Sequence, residues 1–587
     1  MSIIVIVLSV VVLLFIGYRT YGKFLAKKVY ELDDSRKTAA VELADNQDFV
    51  PTDSKFLLGQ HFSAISAAGP ITGPIIAGTA YGWLPATLWI LVGSIFIGGV
   101  HDMGALIESV RNKGRSISDT VREDVSRSAW VLFNLFILVT LVSMIVSFTD
   151  LTTSSFVNQI DIGNGEMVGG GAIATSSILY LILPIIMGVL LRHTKLSLGW
   201  ATAIFLPLVA VAIWIGPYIP LDLQEMLGLD SALQAQKVWN MIVMIYCLVA
   251  ALLPVWFLLQ PRGHLGGYFL YISVIVAAIG VMFGGFKVSY PAFTTPIGEE
   301  GFWFPMFPML FITIACGAVS GFHALVGSGT TSKQIKKESD TRLIGYGAML
   351  MEAVVAMIAL STLMILTTDS ELLEESPNFI YASGIGAFME LIGFDPAFGV
   401  AFGLMAFSTF VFDTLDICTR LGRYIIQELT GWKSWFGMFI ATLIMAGTPM
   451  VFMLITLEDE AGNPIPAWEV FWKTFGASNQ LLAALALIGV TVWLLITAKN
   501  RKAWLVTLIP AVIMFFLSTW ALVNMFLDYT ITDGVFSLPD NANIIIPITC
   551  IVYLALAIWM AVVTVRVVVK RLGSTSGRMP APAGTAD

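Results

Sequence analysis

Charged side chains are scarce in this sequence. Asp, Glu, Lys and Arg make up 12% of its 587 residues, whereas hydrophobic residues make up 57%. A soluble domain carries roughly 25% charged residues, so a string of water-soluble domains is excluded. The net charge is −8, and the basic residues form no stripe along the chain. The composition therefore predicts no nucleic-acid partner and favours a lipid bilayer around most side chains.

Cysteine is rare, and familiar catalytic motifs are lacking. The four cysteines, Cys247, Cys316, Cys418 and Cys550, lie in apolar segments without metal-ligand spacing, and we interpret them as small core residues. The sequence contains no HExxH, no GxSxG and no nucleotide-binding loop, which argues against a membrane enzyme and against ATP-driven transport. We expect no metal, no catalytic residue and no cofactor other than a coupling cation, H⁺ or Na⁺.

What the chain does contain is a series of long apolar runs. A run of about 18 or more apolar residues can cross a hydrocarbon core of about 30 Å. Fifteen such helices are predicted, separated by short polar loops. Their approximate bounds are 2–18, 57–81, 83–106, 129–153, 172–191, 199–220, 238–260, 265–284, 302–328, 343–367, 396–418, 434–456, 468–497, 503–527 and 544–567.

The positions of the basic residues test this number of helices. If the N-terminus lies outside, every Lys and Arg except Lys237, Lys287 and Lys473 falls on the inner side, as the positive-inside rule requires. One helix too many or too few would have placed many basic residues on both sides of the membrane. The pattern predicts an all-α, multi-pass membrane protein with its N-terminus outside and its C-terminus in the cytoplasm.

Three further regions are not predicted to cross the membrane. Residues 31–55 are polar and form a candidate amphipathic surface helix on the inner side. Residues 379–392 are too short and interrupted to span, and are interpreted as an outer-surface or re-entrant helix. Residues 573–587 are rich in Ser, Gly, Pro and Ala and are predicted to be a disordered tail.

Predicted helices 2 and 9 are rich in residues that interrupt a helix. Helix 2 contains the pairs Gly69-Pro70 and Gly73-Pro74, and loss of regular hydrogen bonding is expected over 68–73 and, in helix 9, over 317–321. Unpaired backbone at membrane depth is tolerated only inside protein or beside water, and paired interrupted helices indicate a transporter's binding site. Alternatively, the glycines only let helices pack closely. The candidate substrate-binding residues are Ser66, Gly69, Thr72, Gly73, Gly317, Ser320, Gly321, His323 and Asn479.

Helices 2 and 9 are predicted to run in opposite directions through the membrane. Helices 2–6 and 9–13 therefore form a candidate five-plus-five inverted repeat. The chain then divides into an N-terminal helix and polar segment, the first repeat, an inserted pair, the second repeat, a C-terminal pair and the tail. The respective bounds are 1–56, 57–222, 223–301, 302–497, 498–572 and 573–587.

Several blocks of the sequence closely resemble the carbon starvation protein A family. They are GQHFSAISAAGPITGPIIAG in helix 2, ALLPVWFLLQPR in helix 7, FPMLFITIACGAVSGFHALVGSGTT in helix 9 and FGASNQLLAALAL in helix 13. The resemblance implies an inner-membrane importer induced by nutrient limitation, which takes up peptides or, in some members, pyruvate with a proton. It also implies the amino acid–polyamine–organocation superfamily and its LeuT-like five-plus-five repeat.

Ionisable residues at membrane depth are functional candidates by default. His61 opens helix 2, His323 follows the expected break in helix 9, and Glu352 lies within helix 10. Either imidazole can carry a proton near neutral pH, and a buried carboxylate must be paired or protonated. The alternative is a hydrogen-bonded core histidine without function. For Asp102, beside His101, the sequence favours an interfacial salt bridge or a helix cap.

Helix 11 contains two carboxylates three residues apart, Asp413 and Asp416, on neighbouring faces of one turn. The superfamily resemblance implies that this helix supplies hydroxyls and sometimes carboxylates to a cation. The alternative is an ion pair of Asp416 with Arg420 or Arg423. The candidate coupling-ion residues are Ser408, Thr409, Asp413, Asp416, Glu352 and His61.

Helix 13 begins with a polar group at Ser478, Asn479 and Gln480. These side chains either line the transport pathway or bond to neighbouring helices.

Together these features predict a secondary active transporter. The favoured substrate is pyruvate or a related small carboxylate, imported with H⁺ or Na⁺, and the alternative is a short peptide. A nutrient sensor with a transporter fold is a third hypothesis, but the inner loops are too short for an output domain. The sequence does not decide the oligomeric state.

Overall fold

The computed structural model describes residues 2–45, 49–162, 165–254, 257–294, 306–458, 462–500, 502–532, 534–539 and 541–573. The tail predicted over 573–587 lies, except for its first residue, outside the described residues. So do residues 255–256 of predicted helix 7 and residues 302–305 of predicted helix 9.

The described chain contains thirteen unbroken helices that are long and apolar enough to cross a membrane. They correspond to all the predicted helices except the second and the ninth, which are broken. We number them so that α2 and α9 denote the broken pair. The unbroken helices are α1 (Ile3–Val29), α3 (Trp83–Arg111), α4 (Arg127–Ser154), α5 (Gly171–His193), α6 (Leu198–Tyr218), α7 (Ala232–Leu252), α8 (Leu259–Phe283), α10 (Arg342–Met364), α11 (Pro396–Thr430), α12 (Trp435–Leu454), α13 (Ala467–Thr497), α14 (Leu505–Asp528) and α15 (Ala542–Val569).

The two broken helices each consist of two shorter helices. In α2 these are α2a (Ser54–Ile65) and α2b (Gly69–Tyr81), and in α9 they are α9a (Met309–Thr313) and α9b (Phe322–Gly329). With these two, the predicted set of fifteen is complete, and the all-α multi-pass fold is confirmed.

The connections between helices gather at two ends of the bundle. At one end Ile3 N–H donates to Phe286 (3.1 Å) and Tyr290 N–H to Met364 (3.2 Å). At the other end Thr52 N–H donates to Gln334 (3.0 Å). We call the first the acidic end and the second the basic end, after the charges of their loops. Loops that the charge pattern assigned to the same side of the membrane therefore lie at the same end of the structure. Which end faces the cytoplasm stays a prediction.

Three short antiparallel hairpins close loops at the acidic end. They follow α4, α12 and α14 and leave all the long elements helical. Their strands are β1 (Gln159–Asp161) with β2 (Met167–Gly169), β3 (Leu457–Glu458) with β4 (Pro464–Ile465), and β5 (Ile531–Thr532) with β6 (Val535–Phe536).

Burial separates central helices from peripheral ones. In α11 94% of the apolar stretch is buried against other helices, whereas in α6 the fraction is 28%. The ends of α11 follow ordinary capping rules. The Asp395 side chain accepts a hydrogen bond from Phe398 N–H (3.0 Å), Pro396 takes the first helical position, and Gly431 ends the helix with φ of 74°. A long central helix is therefore available to carry side chains through the middle of the bundle.

The breaks in α2 and α9 differ in how well the sequence predicted them. Helix α9 is irregular over 314–321, which contains the predicted 317–321. The break of α2 lies at 66–68, so the prediction of 68–73 was wrong by about one turn. The reason is that Pro70 occupies the first turn of α2b, where a missing amide donor costs no hydrogen bond.

The two unassigned regions also take definite forms. The described residues before α2a, 31–45 and 49–53, do not form the predicted amphipathic helix. They contain one helical turn, Ala39–Glu42, and cross the basic end, where Val50 N–H donates to Lys333 (3.2 Å). Around 379–392 a helix is present, Pro377–Glu390, but it packs inside the bundle against α10 and α11 rather than on the surface.

Candidate functional site

The two helix breaks pack directly against each other. A Cβ atom built on Gly69 would overlap the side chain of Cys316, and one built on Gly73 would lie 2.6 Å from the carbonyl oxygen of Thr313. Helix α2b leads from its break towards the acidic end, whereas α9b leads towards the basic end. The predicted proximity of the breaks is therefore confirmed, and their opposite directions agree with the LeuT-like inverted repeat.

Close packing explains the glycines at the breaks. A Cβ on Gly317 would lie 2.6 Å from Cβ of Ala356, and one on Gly321 would lie 2.5 Å from Ala483 N. These glycines let the backbones approach, which is the alternative that the sequence left open. Their use by a substrate stays a prediction.

Helix α13 satisfies the backbone of the α9 break. The side-chain oxygen of Asn479 accepts from Phe322 N–H (2.9 Å), and its backbone carbonyl accepts from Gly321 N–H (3.1 Å). The amide of Gln480 donates to the Ile314 carbonyl (3.3 Å). Ser320 is held by Asn479 Nδ2 (3.1 Å). Two of the predicted substrate-binding residues, Ser320 and Asn479, are thus hydrogen-bonded to each other in this structure.

The break of α2 is less completely satisfied. The hydroxyls of Ser66 and Thr72 are buried and have no hydrogen-bond partner among the described residues. Ser66 begins the irregular segment 66–68, and Thr72 lies in the first turn of α2b. A buried hydroxyl without a partner costs free energy, so these two predicted residues offer unused donors and acceptors where the helices part.

A chain of four buried titratable side chains lies beside the breaks on the basic-end side. His323 Nδ1 lies 2.8 Å from one carboxylate oxygen of Asp102, and His101 Nδ1 lies 2.7 Å from the other. On its opposite edge, His323 Nε2 lies 3.2 Å from Glu352. We call His101, Asp102, His323 and Glu352 the histidine cluster. Its members come from α3, α9b and α10 and are at most 3% exposed.

This cluster changes the interpretation of Asp102. The sequence favoured an interfacial salt bridge or cap, but the structure buries Asp102 between two imidazoles. His101 was not singled out at all. The adjacent His-Asp pair within an apolar helix was the available signal. His323 lies beside the break as predicted, and Glu352, which was predicted only to lie within helix 10, is in contact with it. The roles of both stay predictions.

The histidine cluster can hold a variable number of protons. A proton between His323 Nε2 and Glu352 can reside on either group, because imidazole and carboxylate both accept it. Burial makes a net charge costly and makes neutralisation by one proton favourable. The arrangement is therefore chemically suited to bind and release a proton as surrounding helices move.

A second cluster joins the aspartates of α11 to the inserted helices. The guanidinium of Arg262 in α8 is fully buried and lies 2.7 Å from both Asp413 and Asp416. Tyr246 of α7 donates to Asp416 (3.0 Å), and Ser63 of α2a donates to Asp413 (3.1 Å). We call these five residues the arginine cluster.

The arginine cluster corrects one sequence alternative. Asp416 was expected to pair with Arg420 or Arg423 if it bound no cation. Its partner is instead Arg262, while Arg420 donates to the carbonyls of Ala250 and Leu253 at the end of α7. Sequence reasoning missed Arg262 because it fell in the inner loop between predicted helices 7 and 8, whereas in the structure it lies in the first turn of α8.

The remaining predicted coupling-ion residues lie near, but not within, these clusters. Ser408 donates to the Leu404 carbonyl of its own helix (3.0 Å), and Thr409 has no hydrogen-bond partner among the described residues. His61 is hydrogen-bonded to Thr331 (2.8 Å) between α2a and the end of α9b. Within the described residues, no group of three or more His, Cys, Asp or Glu has the geometry of a metal site.

A cavity of about 450 Å³ opens near the acidic end. Ile75 and Thr79 of α2b line one side, about two turns beyond the break. Three carboxylates, Glu374, Glu375 and Glu469, also line it, and no Lys or Arg does so among the described residues. Burial and the neighbouring charge of Glu374 raise the pKa of Glu375 above its ordinary value. The cavity thus presents negative charge at the acidic end of the bundle.

Asp150 of α4 anchors the wall of this cavity. Its carboxylate accepts from Gln236 (3.0 Å), Asn240 (2.8 Å) and the backbone N–H of Trp468 (2.9 Å). Gln236 and Trp468 both line the cavity. This buried carboxylate, which the sequence analysis did not single out, therefore fixes α7 and the start of α13 against α4.

The model of the family described as carbon starvation protein CstA matches residues 1–376 and 368–521. The chain belongs to this family. A peptide transporter CstA of Bacillus subtilis is 32% identical over 588 residues, covering 92% of this chain and 94% of the relative. The pyruvate/proton symporter BtsT of Escherichia coli is 31% identical over 601 residues, covering 88% and 81% respectively.

Solved structures show a more distant likeness. A manganese transporter of Eremococcus coleocola is 14% identical with a TM-score of 0.45, covering 89% of this chain and 99% of that one. The family membership, together with the thirteen candidate spans, shows that this CstA-family protein is a membrane transporter of small molecules rather than an enzyme.

Proposed function

We propose that this CstA-family protein imports a small organic nutrient by proton symport across a bacterial inner membrane. The observation that carries the proposal is the meeting of two broken helices beside a buried, titratable histidine cluster. Substrate would bind at the two breaks, near Ser66 and Thr72, and the histidine cluster would take the proton. We also propose the repeat bounds of 57–222 and 302–497 and an outer N-terminus.

The charges of the two clusters favour a proton over sodium. In the predicted cation site on α11, the positive charge between Asp413 and Asp416 is the guanidinium of Arg262. A sodium ion there would have to displace a hydrogen-bonded, fully buried cation. The histidine cluster, in contrast, accepts or loses a proton without any ion entering.

The acidic cavity favours a short peptide as the substrate. A zwitterionic peptide presents an ammonium group, which the three carboxylates attract, whereas an anion is repelled. The cavity volume of about 450 Å³ also falls in the range of roughly 300–1,000 Å³ that small-molecule sites occupy.

Pyruvate stays the second candidate because the similar Escherichia coli protein is a pyruvate/proton symporter. Entry of a monoanion against a negative-inside potential costs about 2.3 kcal/mol per 100 mV. At least one cotransported proton would be needed to make that entry electroneutral.

Uptake into proteoliposomes tests the function directly. Purified protein would be supplied with labelled dialanine or labelled pyruvate under an imposed proton gradient, an imposed sodium gradient or neither. We expect accumulation of dialanine driven by the proton gradient alone. Accumulation of pyruvate alone would select the second candidate, and dependence on sodium would refute the assignment of the histidine cluster.

A further inference from the structure

A third buried carboxylate lies on α3, outside both clusters. Glu108 is 1% exposed and stands seven residues after His101 on the same continuous helix. Seven residues correspond to two turns, about 10 Å along the axis, so the two side chains share one face. Glu108 is displaced from the histidine cluster towards the basic end.

The helix face between His101 and Glu108 is occupied by a hydroxyl from another element. Gly104 lies between them and has no side chain. The hydroxyl of Tyr30 fills that space: it donates to the Val100 carbonyl (3.2 Å) and would lie 2.8 Å from a Cβ built on Gly104. A hydroxyl can accept one proton while donating another, so Tyr30 supplies a polar step on an otherwise apolar face.

One turn beyond Glu108, the same face reaches a cavity. This second cavity, of about 250 Å³, opens at the basic end and is lined by Tyr30, Arg111 and Asn112, among others. Asn112 follows Glu108 by four residues, and its N–H donates to the Glu108 carbonyl (3.0 Å). Glu108 therefore lies one turn from a residue of this cavity, on the basic-end side of the histidine cluster.

The cationic side chain next along α3, Arg111, is paired with Glu338. Arg111 donates through Nε (3.0 Å) and one terminal nitrogen (2.8 Å) to Glu338, and through the same nitrogen to the Tyr30 carbonyl (2.7 Å). Its charge is thus matched by a carboxylate of the loop before α10.

The two ring nitrogens of His101 have different surroundings. Its Nδ1 contacts Asp102, but its Nε2 is buried and has no hydrogen-bond partner among the described residues. An imidazole with one nitrogen in the cluster and one outside it can pass a proton from one side of the ring to the other.

We propose that α3 carries the coupled proton from the histidine cluster to the cavity at the basic end. His101 releases the proton through Nε2, the Tyr30 hydroxyl and intervening water relay it, and the Glu108 carboxylate accepts it and releases it to water in the cavity. The proton is conserved at each step, and each donor is restored from the cluster. This path rests on the proposed proton symport and adds to it the residues by which the proton leaves.

The test uses Glu108→Gln, which keeps the shape but cannot take up a proton, with Glu108→Asp as the conservative variant. Ser109→Ala is the matched control, because Ser109 is buried at the same depth on another face of α3. Proteoliposomes containing a pH dye would report substrate-driven proton entry, and labelled substrate would report exchange without any gradient.

We expect Glu108→Gln to slow proton entry about 100-fold or more, the lower end of the range for loss of a proton-transfer group. Exchange should stay within about twofold of the parent, and Glu108→Asp should recover much of the rate. Tyr30→Phe should slow proton entry by a smaller factor.

Two results would refute the proposed proton path but not the proposed symport. The first is parental proton entry in Glu108→Gln. The second is a parallel loss of exchange and proton entry in a monodisperse variant, which would make Glu108 a structural residue. A parent that moves substrate without moving protons would instead refute the proposed symport, and the path with it.

Discussion

At the scale of residues, the two clusters use buried charge for different purposes. In the arginine cluster, Arg262 forms ion pairs with both aspartates and donates to the hydroxyl of Tyr246, so three side chains hold the guanidinium. In the histidine cluster the contacts run from one titratable group to the next. The first arrangement holds inserted helices α7 and α8 onto α11, and the second can change its proton content without losing its packing.

Removing the guanidinium should therefore destabilise the protein. Arg262→Gln leaves two buried carboxylates without their cation, and breaking a buried ion pair in this way costs about 3–5 kcal/mol. We expect a lower melting temperature in detergent. The double variant Arg262→Gln with Asp416→Asn should recover part of the loss, because one buried charge disappears with its partner. Equal melting temperatures for the parent and Arg262→Gln would show that the cluster contributes no stability.

Neutralising the histidine cluster should uncouple transport instead. Glu352→Gln and Asp102→Asn remove a proton acceptor beside His323. We expect gradient-driven accumulation of substrate to fall by roughly 100-fold, within the usual range for loss of a proton-transfer group, while exchange across the membrane is partly spared. Asp413→Asn provides the comparison. If it alone abolishes accumulation while the cluster variants concentrate substrate like the parent, the coupling site lies on α11.

At the scale of elements, the break in α9 was easier to predict than the break in α2. In α9, Gly317 and Gly321 lie inside the irregular segment, because glycine both disfavours a helix and permits close approach. In α2 the prolines were the stronger signal, yet Pro70 only begins the second half-helix. A proline marks where a helix can start as well as where it must stop, and the sequence does not distinguish the two.

The contact between the breaks can be tested through Gly73. A Cβ at this position would lie 2.6 Å from the Thr313 carbonyl, and backbone atoms cannot rotate away as a side chain can. Gly73→Ala should therefore separate the half-helices, at a cost of about 1–3 kcal/mol, and reduce transport. Gly327→Ala in α9b is the control, because no atom lies within 4 Å of its added Cβ. Similar transport by both variants would show that the close approach is not needed.

At the scale of the whole molecule, hydrophobic length and basic-residue placement were enough to predict the helices. The partners of buried charges were not predictable in the same way. Arg262 and Asp413 are 151 residues apart, and His323 and Asp102 are 221 apart. Which polar groups meet depends on the packing of helices that are distant in the chain, and periodicity within one helix carries no such information.

The placement of the two ends predicts a definite membrane topology. Ile117 N–H donates to Ser328 (3.0 Å), so the loops near residues 120 and 335 lie at the same end. Reporter fusions after residues 120, 335 and 500 should report the cytoplasm, and fusions after 160 and 530 the exterior. Opposite signals at 120 and 335 would contradict the arrangement of α2 and α9.

The charge difference between the ends also predicts how substrate binding depends on pH. The pKa of Glu375 is raised by burial and by Glu374, so this carboxylate becomes neutral at a higher pH than an ordinary glutamate. Acidification through that range removes negative charge from the cavity near the acidic end. A zwitterionic peptide should then bind more weakly, whereas an anion such as pyruvate should bind more tightly, because the repulsion falls.

Titration calorimetry on the detergent-purified protein, at neutral pH and at successively lower pH, would measure this directly, without the driving force of a gradient. For dialanine we expect a higher Kd at the lower pH, and Glu375→Gln should both raise Kd at the higher pH and flatten the difference. Glu371→Gln is the matched control, because Glu371 lies in the same loop but does not line the cavity. Binding of dialanine that strengthens on acidification would exclude an ammonium group as the feature that the carboxylates recognise.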